Sequence, residues 1–412
     1  MDTTLPHWVE LPITLDLTGA AYTVQLSLGS ERTPVRLIID TGSSSLAVLA
    51  GAFDAAADGS LSATSWAQQL AYGEGAWVGP VICTDLRLDH SGHHLAATQL
   101  ALIEAMSTKF QGADGILGMA YRALDHAHDV SALLPAPTTQ SWPWPFDDQH
   151  SNDPSFTTQL HAQPKVPLVP AFSALEEHGV VSNRFTLLIR RALKRVDGSE
   201  RPHPDNQGRL LLGAGTELAH LHHGDVQTLP VVHDRYYNVS LHALQVAGQT
   251  PLAAPLLRAN EVDAYASNAI IDTGCSFILL EDSLYQGLIE ALNRIDERLG
   301  AAIEAFAPCL AQQRGLVDAD LRSLPWPTLS FHFDAGEGEI ARVQLKPEHY
   351  WQHDALHPGE SWFMLLRQLP DWPRQSVLGL PLLCDHLVVF DRQVDTLGVI
   401  RLARARRPGQ SG

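Results

Sequence analysis

The sequence predicts a mainly β protein made of two related lobes with few helices, and three observations carry that prediction. Apolar and polar residues alternate strictly where Tyr22, Val24, Leu26 and Leu28 are separated by Thr23, Gln25 and Ser27, and a similar β-rich pattern spans residues 237–246. That period of two belongs to half-buried strands. Helical periodicity is clear in one place, where Leu284, Leu288, Leu292, Ile295, Leu299, Ile303 and Phe306 recur at three- and four-residue steps behind the acidic start Glu281, Asp282. One amphipathic helix is expected there. The third observation is an element of the form apolar-apolar-Asp-Thr-Gly that occurs twice.

Its first copy is Ile38, Ile39, Asp40, Thr41, Gly42, followed by Ser43 and Ser44; its second is Ile270, Ile271, Asp272, Thr273, Gly274, followed by Cys275 and Ser276. The two Asp stand 232 residues apart. Each copy has an apolar-apolar-Gly element downstream, Ile116, Leu117, Gly118 in the first half and Val377, Leu378, Gly379 in the second. The same parts in the same order are what a duplicated lobe leaves in a sequence. Residues 135–170, rich in proline and polar residues and holding Trp142, Pro143, Trp144, Pro145 and Phe146, read as an excursion of loop or linker character.

Composition narrows the function. With 412 residues the chain can form two or three domains, each able to bury a core. Against 46 Asp plus Glu it carries 28 Lys plus Arg, a net charge of −18, so it lacks the clustered cations that neutralise nucleic-acid phosphates. Its apolar runs, such as residues 377–383, end at Asp385 and His386, far short of the roughly 18 residues a membrane-spanning helix needs. A hydrophobic content of 45% excludes disorder for most of the chain. The opening MDTTLPHWVELPITLDL has neither a basic leader nor a long apolar run, so no export signal is read and a cytoplasmic location is expected. Four cysteines, Cys83, Cys275, Cys309 and Cys384, do not form a disulfide framework in so long a chain, and a reducing compartment fits them. If any bridge forms, Cys309 with Cys384 is the first pair to test.

A buried strand that ends in Asp-Thr-Gly sets a carboxylate where apolar neighbours give way to a tight turn, and the glycine permits close backbone approach. One copy would be an ordinary strand-ending turn. Two copies on matching apolar strands point to paired chemistry. If the lobes are related by a pseudo-twofold axis, Asp40 and Asp272 meet, and two adjacent carboxylates cannot both ionise. They then share a proton, leaving one base and one acid at the same pH. A water between them can lose a proton to one while the other protonates a carbonyl oxygen, which is hydrolysis without a covalent intermediate. Peptide bonds are the natural target. Thr41 and Thr273 would offer hydroxyls to the opposite loop's backbone and lock that geometry.

These residues resemble the pepsin-like aspartic proteases of family A1, two-lobed β proteins with one catalytic Asp per lobe. Residues 70–75, Leu-Ala-Tyr-Gly-Glu-Gly, look like the flap hairpin of that family, with Tyr72 in the place of the flap tyrosine beside Gly73 and Glu74. Residues 113–121 resemble the glycine element of the first lobe, residues 208–213 with Tyr236 and Tyr237 the interlobe sheet and the strand opening the second half, and residues 390–392 with 397–399 the closing strands. The likeness runs from about Tyr22 to Leu402 and leaves the proline-rich stretch as its largest unmatched part. It implies a bilobal acid-protease fold with a central interlobe sheet and few short helices. It also implies a first lobe of residues 1–205, holding the first Asp loop, the flap and an insertion at about 122–170, and a second lobe of residues 206–412 with the second Asp loop. Catalysis would fall to Asp40 and Asp272. Thr41, Gly42, Ser43, Thr273, Gly274 and Cys275 would support them, and Tyr72, Gly73, Glu74 and Tyr236 would contact substrate. The implied partners are a peptide or unfolded protein and pepstatin-like inhibitors, the implied state is a monomer, and no cofactor or metal is called for.

Several positions depart from the family pattern. Only 39 residues precede Asp40, which leaves little room for a signal and propeptide and brings the chain nearest to bacterial pepsin homologues of the shewasin type. Ala47 replaces the tryptophan that usually bonds the flap tyrosine, so Tyr72 needs another partner or stays looser. Glu74 replaces a small hydroxyl residue and would make the flap respond to pH. Cys275 replaces a hydroxyl and is a far weaker donor to Asp272, while Leu380 replaces an acidic residue. Those two changes oppose each other, and an acidic optimum is the expectation.

Other features yield less. His90, His93 and His94 and His220, His222 and His223 form two small clusters without the Cys pair or helical Glu spacing of a zinc site, so metal binding is not expected. They charge as carboxylates neutralise, bringing the chain to zero near its pI of about 5.5. Asn238, Val239, Ser240 spells a glycosylation acceptor inside a predicted strand, where it would go unused. Cys275 reads as a small packed thiol, with a redox role as its rival. Residues 401–407 read as a frayed tail. Two functions stay open: an endopeptidase acting on extended, apolar-flanked substrates, and a pepsin-fold binding module with weak or no catalysis.

Overall fold

The computed structural model describes residues 8–72, 75–89, 91–107, 110–147, 153–199, 201–317, 321–394 and 397–406. Two compact units divide the chain: Tyr22–Ser182 with the residues before Pro12, and Pro12–Ala21 with the residues from Asn183 onward. The first division falls inside strand β1 (Val9–Thr14).

The first unit contains β2 (Thr23–Leu28), β3 (Thr33–Asp40), β4 (Leu46–Leu49), β5 (Ser62–Tyr72), β6 (Gly75–Arg87), β7 (His94–Ile103), β8 (Ala105–Met106) and β9 (Gly115–Gly118). β10 (His126–Asp129), helix α1 (Pro154–His161), β11 (Lys165–Pro167) and helix α2 (Ala171–Glu177) follow. Its strands join in the order β11-β10-β5-β6-β7-β4-β9-β3-β2, with β8 on β6. Alternation sets the faces of β3: Val35, Leu37 and Ile39 are buried while Pro34 and Arg36 are exposed.

Residues 154–161 and 165–167 of the proline-rich stretch form helix α1 and strand β11 rather than loop, contrary to the sequence expectation, and β11 joins a strand just before the stretch. β10 pairs antiparallel with β5, His128 opposite Ala67 and Asp129 opposite Trp66, and with β11 on its other side. Asp153 caps α1, its Oδ1 accepting the Ser155 amide at 2.8 Å, with Pro154 in the first turn. Phe156 and Leu160, one helical turn apart, bury against Ala67, Val78 and Val130, and Trp144 and Phe146 close over them. Ring centroids of Phe146 and Phe156 lie 4.8 Å apart. The aromatic knot thus supplies a small core of its own, which a polar linker would lack.

The second unit contains β12 (Arg184–Leu188), β13 (Gln207–Leu212), β14 (His222–Pro230), β15 (Tyr237–Val239), β16 (Leu241–Val246), β17 (Leu252–Ala253) and helix α3 (Val262–Tyr265). Then come β18 (Ala269–Ile271), β19 (Ile278–Leu280), helices α4 (Asp282–Ile295) and α5 (Glu297–Ala311), β20 (Leu316–Val317), β21 (Leu329–Asp334) and β22 (Ile340–Leu345). Helix α6 (Pro347–Tyr350), β23 (Trp351–His353), β24 (Glu360–Phe363), β25 (Leu365–Arg367), β26 (Ser376–Leu378), helix α7 (Leu380–Leu383), β27 (His386–Asp391) and β28 (Val399–Ala405) complete it. One sheet runs β13-β12-β27-β28-β14, another β15-β18-β26-β19-β25. Phe185, Tyr237 and Phe390 form an aromatic core here, Phe185 stacked on Phe390 with centroids 4.7 Å apart.

Three expectations are corrected. Residues 183–205, assigned by sequence to the first lobe, belong to the second unit because β12 pairs along its whole length with β27 and β13. The single expected helix is two, since Asp296 takes extended backbone (φ −161°, ψ 122°) and caps α5 through its own carboxylate, which accepts the Arg298 amide. Apolar spacing continues across that break and hides it. Residues 401–405 are strand, not frayed tail, held by β27 and by an ion pair from Arg401 to Asp391. Among the described residues no disulfide forms: Cys309 sits on α5, its Sγ directed at the Ala305 carbonyl, and Cys384 is buried after α7. Asn238 is buried in β15 and donates to the Tyr265 carbonyl and the Ser267 hydroxyl, both at 2.9 Å. Among the described residues no helix is long and apolar enough to cross a membrane.

Candidate active site

The first Asp-Thr-Gly copy ends β3 as expected. β3 runs parallel to β9, with Ile38 beside Ile116 and Asp40 beside Gly118, and β9 pairs antiparallel with β4 on its other edge. The chain therefore leaves β3, turns through residues 41–45 and returns as β4, with β9 threaded between. Gly118 is the keystone: a Cβ there would lie 2.4 Å from the Ser44 carbonyl carbon and 2.5 Å from the Ser45 nitrogen. Backbone amides of Met119 and Ala120 bond the carbonyls of Asp40 and Ser43 at 2.6 and 2.8 Å.

Asp40 is 5% exposed. Its Oδ1 accepts the Gly42 amide at 2.7 Å and its Oδ2 the Ser43 hydroxyl at 2.5 Å. Such charge-assisted bonds favour the ionised carboxylate and fix its plane. Thr41 is fully buried.

The second unit repeats this loop. β18 runs parallel to β26, with Ile270 beside Val377 and Ile271 beside Leu378, and β26 pairs antiparallel with β19. Gly379 occupies the place of Gly118, where a Cβ would meet the carbonyl oxygens of Cys275 and Phe277, each at 2.2 Å. Asp272 is half-buried, its amide bonds the Leu378 carbonyl at 3.1 Å, and its Oδ1 accepts the Gly274 amide at 2.8 Å. Thr273 is buried. Cys275 directs its Sγ to the Phe277 carbonyl at 3.1 Å, so the two loops differ at the position after Asp-Thr-Gly as the sequence indicates. Leu380, fully buried, bonds its amide to the Cys275 carbonyl at 2.9 Å.

The β5–β6 hairpin lies where the flap is expected, with Tyr72 opposite Gly75 in its backbone ladder. The calls on Gly73 and Glu74 lie outside the described residues, and of Tyr72 only the backbone is described. Ala47 is buried in β4 between β7 and β9. Tyr236 is half-buried in the turn before β15. Its neighbour Tyr237 is fully buried, and burial pushes its hydroxyl up to about 12 although Arg392 donates to it at 2.9 Å. His93, in the β6–β7 connection, and His94, at the start of β7, are exposed, and His90 is outside the described residues. Among the described residues no three His, Cys, Asp or Glu side chains gather as a metal site.

Sequence reasoning missed a buried cluster beside the Asp40 loop. Ser45 donates its hydroxyl to Asp125 Oδ1 at 2.7 Å, and Gln68 on β5 donates through Nε2 to Ser45 Oγ at 2.8 Å and Asp125 Oδ1 at 2.9 Å. Burial pushes the Asp125 carboxyl up, while the bonds from Ser45 and Gln68 pull it down; burial dominates. The only local signal is a polar Gln within a strand-like run, because Asp125 falls inside the insertion that the sequence leaves without an assigned role.

Two β units, each with an Asp at the turn of a parallel-strand loop closed by a glycine, define a bilobal pepsin-like fold. The comparisons agree. Residues 236–399 match the family model described as xylanase inhibitor C-terminal. The whole chain is similar in structure to an aspartic proteinase from Irpex lacteus, with a TM-score of 0.64, 16% identity, and 97% of each chain covered.

Proposed function

We propose that this protein is an aspartic endopeptidase in which Asp40 and Asp272 act as a pair on one water. The observation that carries the reading is the matched clamp on the two carboxylates: Gly42 N to Asp40 Oδ1 at 2.7 Å and Gly274 N to Asp272 Oδ1 at 2.8 Å, each in a loop closed by a glycine that tolerates no side chain. In the proposed reaction the ionised carboxylate takes a proton from water as its oxygen attacks the peptide carbonyl carbon. The protonated carboxyl gives its proton to the carbonyl oxygen, forming a gem-diol. Proton transfer to the amide nitrogen then releases amine and acid. The substrate would be an extended peptide or unfolded protein, bound by strand-like hydrogen bonds.

A second reading has its own support. The matched family model for residues 236–399 is named for an inhibitor, and a fold can persist where its chemistry is lost. In that reading the chain binds a protein or peptide without cutting it. Digestion of a denatured protein mixture from acidic to neutral pH, with and without pepstatin, separates the two. Pepstatin-sensitive cleavage that disappears in Asp40→Asn and Asp272→Asn supports the enzyme. Cleavage that survives either substitution sinks the pair, and absence of cleavage at every pH selects the binding module.

A further inference from the structure

Three consecutive serines after Gly42 have three different partners. Ser43 bonds the Asp40 carboxylate, Ser44 donates to the Tyr121 carbonyl at 2.7 Å, and Ser45 donates to Asp125. Tyr121 and Asp125 flank the start of the insertion, so the Asp40 loop and the insertion are bonded directly.

The insertion also grips β5, the outer strand of the hairpin. Ser141 donates to the carbonyls of Thr64 and Trp66 at 3.0 and 2.6 Å, its amide bonds Thr64 at 2.7 Å, and the Val130 amide bonds the Ser65 carbonyl at 2.9 Å. Nearer the tip, Gln69 Nε2 donates to Thr157 of α1 at 3.0 Å. Where these two sets of bonds converge stand Ser45, Gln68 and Asp125, at 2%, 1% and 4% exposure. Gln68 also donates to the His126 carbonyl at 3.1 Å. Three buried polar groups from three segments bond one another there, although Gln68 Oε1 is buried without a hydrogen-bond partner, and removing any one of the three strips a buried bond from each of the other two. Ala47 buries in β4 without a polar atom to offer the hairpin, so the cluster is a polar link from the Asp40 loop to that strand.

We propose that Asp125 and Gln68 are positioning residues that, through Ser45, hold strand β5 in register with the Asp40 loop. The insertion is then a brace for the hairpin rather than a surface decoration. This rests on the reading in which the β5–β6 hairpin closes over a peptide substrate. A brace of this kind acts on substrate capture more than on the chemical step, because it orders the hairpin before the peptide binds.

Hydrogen exchange and peptide hydrolysis on the full-length protein test it together. Asp125→Asn keeps an oxygen acceptor for Ser45 and Gln68, Asp125→Ala removes it, and Gln68→Leu removes the donor at similar volume. In Asp125→Ala and Gln68→Leu the β5–β6 amides should exchange about tenfold faster than in the parent, with β2, β3 and the second unit unchanged. KM should rise about five- to tenfold with kcat within about twofold, and Asp125→Asn should restore both readouts. If Asp125→Ala fails to fold, Gln68→Leu decides. Unchanged exchange at the hairpin, faster exchange throughout the chain, or no rescue by Asp125→Asn overturns the proposal. A parent that cleaves no peptide defeats the catalytic reading alone, since the exchange readout does not depend on turnover.

Discussion

Ser43 and Asp40 are joined by a 2.5 Å hydrogen bond from hydroxyl to carboxylate, and in the second unit the corresponding Cys275 directs its sulfur to the Phe277 carbonyl. The two loops share a backbone and differ in the donor that follows Asp-Thr-Gly. A hydroxyl bonded to an ionised carboxylate contributes about 1.5–3 kcal/mol, well above a thiol's weak donation.

Ser43→Ala removes that donor and favours the protonated form of Asp40. The acid limb of the rate profile should move to higher pH, with kcat at the optimum reduced about tenfold or less. Cys275→Ser should move it the other way. Rates measured across the acidic range decide; a Ser43→Ala profile that overlays the parent would remove the hydroxyl from the mechanism.

Asp40→Asn and Asp272→Asn each take away a proton acceptor while keeping shape. Each should lower kcat/KM by a factor on the order of 10³ or more, with the thermal midpoint close to the parent's. Unequal residual rates would show which carboxylate tolerates loss of its charge.

Gly118→Ala and Gly379→Ala drive a methyl into backbone atoms that cannot rotate away, at 2.4 and 2.2 Å. Each should cost about 3 kcal/mol or more and abolish activity, because the strand threaded through the loop must shift. Urea unfolding measures the cost. The contrasting control is Gly224→Ala, where no atom lies within 4 Å and only the positive φ of 73° opposes the change.

Acid should loosen the second unit through His386. This imidazole is 5% exposed, and burial, helped by the nearby charges of Arg404 and His349, lowers its pKa from 6.5 to about 3. Between those values the unfolded chain binds a proton that the folded chain refuses. Stability is therefore full above about 6.5 and falls as pH drops towards 3, by at most roughly 4–5 kcal/mol. Burial lowers His126 and His161 in the first unit in the same direction, with Lys165 adding to each. Denaturant midpoints recorded from neutral to acidic pH should fall, and His386→Leu should flatten the slope. A slope unchanged by that substitution would put the acid sensitivity elsewhere.

The two Asp loops were legible because their residues act locally. An apolar strand, an Asp, a Thr and a Gly are contiguous, and the keystone glycines announce themselves as apolar-apolar-Gly, so Asp40, Asp272, Gly118 and Gly379 could be read without a fold. The alternation of β2 and β3 was legible for the same reason. The break at Asp296 was not, since the apolar stripe of α4 continues in phase into α5 while the cap that ends one helix begins the next.

The sequence by itself determined the fold class, the paired loops and the substitution of a thiol for a hydroxyl at Cys275, all of which rest on residues adjacent in the chain. Tertiary structure alone decided that the proline-rich stretch forms α1 and β11, with β11 paired to β10 beside β5, that residues 183–205 join the second unit, and that Gln68, Ser45 and Asp125 meet. Those outcomes depend on which buried polar and apolar groups find partners across 23 to 80 residues of chain, and no local pattern encodes that choice.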